Sequence, residues 1–382
     1  MHLPSPPAAA QQLSQQLEML ICQQIVQQGP LNFAEYMELA LYHSELGYYN
    51  NSLKKFGESG DFTTAPETSD LFARCLANQI GVILNSLPNG NILEFGAGSG
   101  QLALDILLTL QSVHQLPKCY YILEISKELR TRQQQKLQVE LPDFYDQIIW
   151  LEQLPKNFSG VVIANEVLDA MPIHRFCFKE KEILEYFVDC HHGKLQEKLM
   201  PANEPLLEKL LATGISFTPN YHSEISLHIP IWLANLADCI FSGVVLLIDY
   251  GFPSSIYYHS ERCTGTLMCH YQHYAHSNPY FWPGLQDITA HIDFTAVART
   301  AITHGFSLTG YTTQSHFLLN CGLMEFAAKQ QRTAEETWLT SQAIKKLVLP
   351  SEMGELFKVM ALSKGISIPL MGFKAKDQSY KL

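Results

Sequence analysis

Asn91-Ile92-Leu93-Glu94-Phe95-Gly96-Ala97-Gly98-Ser99-Gly100 runs from an apolar strand through an acidic residue into three glycines at alternate positions. A helical pattern follows at once, Gln101-Leu102-Ala103-Leu104-Asp105-Ile106-Leu107-Leu108-Thr109-Leu110. Glycine adopts φ > 0 without strain and lets backbone come close to a ligand. A glycine turn between strand and helix is therefore a nucleotide-type ligand site. A dinucleotide fingerprint needs glycine at its first, third and sixth positions, and the sixth position here is Gln101. A glycine turn without a ligand is the competing reading.

Outward from this turn, β and α patterns alternate. Strands are expected at 91–95, 119–124, 147–151 and 160–165, with helices at 99–112 and 126–139 between them. That alternation implies a parallel sheet with helices on both faces. Residues 173–178 and 183–190 read as a hairpin, 204–240 as a less regular helical stretch, and Val244-Val245-Leu246-Leu247-Ile248-Asp249 as a buried strand. The tail predicts a helix at 293–304, a strand at 307–313, helices near 316–329 and 333–346, and a last strand at 357–363. The expected fold is α/β, a Rossmann-like seven-stranded sheet with N-terminal helices and an inserted α+β subdomain. Its expected domains are an N-terminal helical extension at 1–60, a core at 61–170 and 241–382, and an insertion at 171–240 on the substrate side. Within the extension, Gly29-Pro30 stops a first helix, and Asn32 with Glu35 forms a capping box for a second at 33–43. Pro66 suits the first turn of a helix near 67–84.

The chain has 382 residues, 47% apolar and 16% charged, with a net charge of −11. The apolar share is ample for a buried core. A negative surface repels phosphate backbones, so nucleic acid is not an expected partner. Nine scattered cysteines without a C-x-x-C read as reduced intracellular thiols rather than a disulfide framework. No apolar run approaches the ~18 residues needed to span a bilayer. The first Lys or Arg is Lys54, so neither a secretory nor a mitochondrial leader is expected, and the expected location is the cytoplasm.

The observed form, E-x-G-x-G-x-G, resembles the S-adenosylmethionine (SAM) loop of Rossmann-like methyltransferases. Gly96, Gly98 and Gly100 would then seat SAM, and Glu94 would orient the loop or meet the SAM ammonium group. Glu124 ends the second strand, where Rossmann-type folds place the acidic residue that accepts ribose hydroxyls. Asp61, Thr63 and Thr64 precede a helix start, so they are helix caps, contacts to the methionine end of SAM, or both. The fourth strand ends Ala164-Asn165-Glu166-Val167-Leu168-Asp169, where ligands of parallel sheets bind. Asn165 is read as cofactor-binding. Glu166 and Asp169 are read as the carboxylates that hold a cationic nucleophile and take its proton. Capping by Asn165 and Asp169 is the alternative. Asp249 shapes the same pocket or lies in a surface turn. Residues 265–294 form an irregular stretch rich in His, Pro and aromatic residues, expected as a pocket wall with His291 and Asp293 facing the nucleophile. Cys269, His270, His273 and His276 do not follow a zinc-site spacing, so no metal is expected.

These residues together resemble the MidA family, bacterial relatives of the mitochondrial complex I assembly factor that methylates an arginine. The resemblance covers nearly the whole chain. It rests on Gly29-Pro30 with the Met37 helix, Gly47-Tyr48-Tyr49, Gly60-Asp61-Phe62-Thr63-Thr64 through Pro66-Glu67, Glu94 to Gly100, Asn165-Glu166 with Asp169-Ala170-Met171-Pro172, and Asp249-Tyr250-Gly251. Pro283-Gly284 and Asp287-Ile288-Thr289-Ala290-His291-Ile292-Asp293-Phe294 complete it. Met171 stands where the family often has leucine, and the His270–His276 segment is richer in His and Tyr than the family pattern. The resemblance implies a seven-stranded methyltransferase fold, SAM as cofactor, and N-methylation of an arginine in a protein substrate, with a respiratory complex I subunit as the mitochondrial precedent. It leaves a homodimer open. Two other readings stand beside it: methylation of a small molecule, and a non-catalytic SAM-binding assembly factor.

Overall fold

The computed structural model describes residues 3–51, 64–328 and 333–382. The chain forms two compact units. One comprises the described residues of Met1–Phe62, Asp169–Ile231 and Ser254–Ala296; the other those of Thr63–Leu168, Trp232–Pro253 and Val297–Leu382. The stretch 254–296, expected in the core, belongs to the first unit, and the chain joins the sheet unit at Trp232 rather than at 241.

Seven strands of one sheet lie in the second unit. Its strands are β1 (Asn91–Phe95), β2 (Tyr120–Leu123), β3 (Ile148–Leu151), β4 (Phe158–Asn165), β5 (Ile240–Phe252), β6 (Ser307–Thr313) and β7 (Phe357–Lys364). They lie in the order β6-β7-β5-β4-β1-β2-β3. β7 runs antiparallel to β5 and β6, and the remaining neighbours are parallel. Helices α1 (Asp70–Asn85), α2 (Gln101–Ser112) and α3 (Lys127–Glu140) alternate with the first strands. Apolar residues of β1, β4 and β5 (Ile92, Val161, Ile163, Val244, Leu246) pack with Leu76, Ile80, Ile106 and Leu107 into one core. Successive strand residues point to opposite faces, so runs such as Val244–Ile248 are apolar throughout because both faces are covered. Glycine is required where β4 meets its neighbours. A Cβ on Gly160 would lie 1.9 Å from the Asn91 carbonyl oxygen, and one on Gly243 would lie 2.1 Å from that of Gly160.

The helix expected at 67–84 is divided. Ala65–Thr68 makes one turn, Ser69 is extended, and its hydroxyl caps α1 by accepting from Leu71 N–H at 3.2 Å. A serine competes for its own backbone donors and so starts a new helix more readily than it continues one.

In the first unit, helices Ala8–Gln28 and Phe33–Tyr42 pack through Leu17, Ile21, Phe33, Tyr36 and Met37. The expected capping box is formed: Asn32 Oδ1 accepts from Glu35 N–H and Glu35 Oε2 from Asn32 N–H, each at 2.9 Å. The expected hairpin pairs His174–Lys179 with Glu182–His191. Three features differ from expectation. Residues 204–240 contain a strand, Tyr221–Ile225, between two helices. Its Ser223 and Glu224 are buried, so its polarity hid it. Part of the irregular 265–294 stretch is a three-stranded antiparallel sheet of Met268–Tyr271, Tyr274–His276 and Asp287–Thr289. Its tight turn places Gln272 and His273 at φ 46° and 65°. Such turns usually carry Asn or Gly, so the usual signal was missing. Finally, Cys22 and Cys190, 168 residues apart, form a disulfide, against the expectation of reduced thiols. Pairing over that distance is decided by helix and strand meeting in space.

Candidate active site

At the carboxyl end of β1 the chain turns through three glycines in the left-handed region, with φ of 60°, 54° and 77° at Gly96, Gly98 and Gly100. Gly96 N–H donates to the Leu123 carbonyl at 3.0 Å, which fixes the turn to the end of β2. Gly100 caps α2, and a Cβ there would meet Gln133 Cγ at 3.3 Å. The turn thus presents backbone without side chains at a helix N-terminus. Ser99 Oγ donates to Glu67 Oε1.

Glu94 is buried at the end of β1, and Tyr120 O–H donates to its Oε2 at 2.8 Å. Burial pushes its carboxyl up to about 8, against the Tyr120 bond that lowers it, and the Glu124 charge adds to the rise. A carboxyl raised in the folded state stabilises fully below its unfolded value near 4.5, and that stability is lost as pH rises toward 8. Relative to Glu94→Gln, the ligand-free protein is expected to lose up to about 1.4 kcal/mol of unfolding free energy per pH unit across this window. Denaturant melts of both proteins at a series of pH values check it, and parallel profiles would refute it.

Glu124 follows β2 and accepts from Ser126 N–H at 3.0 Å and from Gln133 Nε2 at 3.0 Å. Burial raises its carboxyl, while the Ser126 N–H, Gln133, Gly98 N–H and Ile125 N–H bonds oppose the rise. Thr64 stands at the N-cap of the turn Ala65–Thr68 without a side-chain cap bond. Asp61 and Thr63 lie outside the described residues.

β4 ends at Asn165, whose Nδ2 donates to Glu166 Oε1 at 3.3 Å. Asn165 Oδ1 is buried with no hydrogen-bond partner among the described residues. Glu166 has φ 52°, a left-handed conformation that costs a non-glycine residue, and its N–H donates to Ile248 carbonyl at 2.9 Å. Strained backbone held by its surroundings is concentrated at ligand and catalytic sites. Asp249 is fully buried, not in a surface turn; its Oδ2 accepts from Leu168 N–H at 3.0 Å and its Oδ1 from its own neighbour Tyr250 N–H at 2.9 Å. It therefore anchors the segment that follows Glu166. Burial lowers the Lys346 ammonium, opposed by the charges of Glu352 and Glu166.

Asp169 and His291 belong to the other unit. There the Asp169 carbonyl accepts from Ala290 N–H at 3.0 Å, and His291 N–H donates to Thr266 Oγ1 at 3.0 Å. Asp293 accepts Ser254 Oγ at 2.7 Å and the N–H groups of Thr295 and Ala296, so it caps the helix that follows. Tyr49 O–H donates to Asp287 Oδ1 at 2.9 Å and Tyr42 O–H to the Ala170 carbonyl at 2.8 Å. These bonds gather the Gly47-Tyr48-Tyr49, Asp169–Pro172 and Asp287–Phe294 segments into one unit. Among the described residues, no group of three or more His, Cys, Asp or Glu stands together as metal ligands would.

Glu67, Gln133 and Lys346 were not foreseen. Glu67 lies within a quoted motif, but Gln133 and Lys346 carry no local signal.

A methyl donor with a ribose and an amino-acid tail needs close backbone, a ribose acceptor and polar groups at the strand ends. The left-handed glycine turn, Glu124 and the unpartnered Asn165 Oδ1 fit those needs. A family profile described as "Putative S-adenosyl-L-methionine-dependent methyltransferase" matches residues 75–312. The chain is similar to a COG1565 superfamily member from Burkholderia thailandensis, solved bound to S-adenosyl-homocysteine, at 37% identity, TM-score 0.95 and full coverage of both chains. It is also similar to the protein arginine methyltransferase NDUFAF7 homolog of Drosophila melanogaster, at 27% identity over 91% of this chain and 86% of that protein. The human protein arginine methyltransferase NDUFAF7 is 27% identical over 87% of this chain and 80% of its own. The sheet order, the glycine turn and these likenesses converge: the chain belongs to the MidA family and is a SAM-dependent methyltransferase.

Proposed function

We propose that this methyltransferase acts on an arginine side chain of a protein. The observation that carries the reading is Glu166, a carboxylate at the carboxyl end of β4, held in a left-handed conformation beside Asn165. A carboxylate there accepts two N–H groups of a guanidinium and points its nitrogen lone pair in one direction. SAM supplies an electrophilic methyl carbon on sulfur; the carbon–sulfur bond breaks as the nitrogen–carbon bond forms. Glu166 holds the guanidinium in line and takes the proton that the methylated nitrogen releases. The net charge of −11 suits a cationic acceptor. The names of the curated relatives support arginine, and the family resemblance makes a respiratory complex I subunit the first protein substrate to try.

Purified protein is to be incubated with radiolabelled SAM and a lysate of cells lacking it. The expected result is a labelled protein that yields methylarginine on hydrolysis. Label confined to a small molecule, or to another amino acid, would overturn the reading in favour of the small-molecule alternative or a different acceptor.

A further inference from the structure

We propose that Gln133 is a positioning residue for cofactor binding: it sets the glycine turn and Glu124 in one arrangement, and Trp150 holds it in place. α3 is polar along nearly its whole length, Lys127-Glu128-Leu129-Arg130-Thr131-Arg132-Gln133-Gln134-Gln135-Lys136-Leu137. Its buried stripe is Leu129, Gln133 and Leu137, spaced by four residues. A glutamine in the middle of that stripe is fully buried and must be satisfied. It is. Nε2 donates to the Gly98 carbonyl at 2.9 Å and to Glu124 Oε2 at 3.0 Å, and Oε1 accepts from Trp150 Nε1 at 2.9 Å.

The partners leave one orientation for the amide. Turned over, its oxygen would face two acceptors and its NH2 would face the indole donor. Trp150 is held in turn, because Arg130 Nη2 donates to its carbonyl at 2.9 Å. Gly98 and Glu124 stand at the ends of neighbouring strands, and the Gln133 amide bridges them beside the direct Gly98 N–H bond to Glu124, so it holds the turn against the carboxylate. Donation from Gln133 also opposes the rise that burial imposes on the Glu124 carboxyl, and so favours the ionised form that accepts hydroxyls. A Cβ at position 100 would press on Gln133 Cγ, which ties the glycine pattern to this side chain.

The inference rests on the reading that Glu124 receives the ribose hydroxyls. Calorimetry with S-adenosyl-homocysteine and its 2′-deoxyribose counterpart tests both, and needs no methyl acceptor. The native protein is expected to prefer the hydroxyl-bearing ligand by about 10-fold or more, the worth of one charge-assisted hydrogen bond. In Gln133→Leu the preference is expected to fall to within about 3-fold, with the 2′-deoxy ligand bound nearly as before. In Trp150→Phe, which removes the indole donor and keeps an aromatic ring, it is expected to fall part of the way. Equal binding of both ligands by the native protein would overturn the ribose reading itself. Native discrimination with an undiminished preference in Gln133→Leu would overturn the positioning role alone. So would an equal loss for both ligands, the mark of packing only. If Gln133→Leu does not fold, Trp150→Phe decides: an unchanged preference there overturns the relay.

Discussion

Gly98→Val is expected to weaken binding of S-adenosyl-homocysteine by about 100-fold or more. Gly98 sits at φ 54° between two further left-handed glycines. A β-branched residue is a genuine outlier there, and such strain costs about 1–3 kcal/mol. Its two methyl groups also occupy a turn whose value is bare backbone. Both effects act on the same loop, so the loss exceeds what either would cause. Gly98→Ala is expected to fall between valine and the native protein, because alanine carries the strain without the branching. Calorimetry at one pH and salt compares the three. Unchanged affinity for the valine variant would mean that the donor is not seated at this turn.

Glu166→Gln is expected to reduce the rate of methyl transfer by about 100- to 10,000-fold while leaving S-adenosyl-homocysteine affinity within about 3-fold. The substitution keeps the shape of the side chain and an acceptor for Asn165 Nδ2. The backbone position is held independently, by the Glu166 N–H bond to Ile248 and by the Asp249 grip on Leu168 N–H. What is lost is the negative charge that binds a guanidinium and takes its proton. The check is the initial rate of label transfer from SAM into the lysate acceptor, paired with calorimetry. A retained rate would remove Glu166 from the chemistry. Lost affinity would reassign it to cofactor binding.

Both predictions rest on residues that were legible in the sequence, and the reason is their local origin. A run such as Ile92–Phe95 becomes a buried strand because its neighbours in sequence are apolar. Gly96, Gly98 and Gly100 mark a left-handed turn because other residues resist it. Asn32 and Glu35 form a capping box because they stand three positions apart. Glu124 and Glu166 stand where strands end, so their position follows once the strands are placed.

Residues that act through distant partners were hidden. Gln133 looks like one more polar residue on a polar helix until Gly98, Glu124 and Trp150 surround it. Tyr221–Ile225 reads as polar until Thr266 satisfies the buried Glu224. Asp293, expected to face the nucleophile, caps the helix that follows and also accepts from Ser254, 39 residues away, a partner its own segment does not announce.

Sequence alone therefore determined the alternation of elements, the left-handed glycine turn and the carboxylates at the strand ends, because short-range periodicity and backbone sterics act within a few residues. Tertiary structure decided the Cys22–Cys190 bond, the membership of 254–296, the break at Ser69 and the bridge at Gln133. Each of these depends on which buried polar or thiol groups meet, and burial is a property of the assembled chain rather than of any segment.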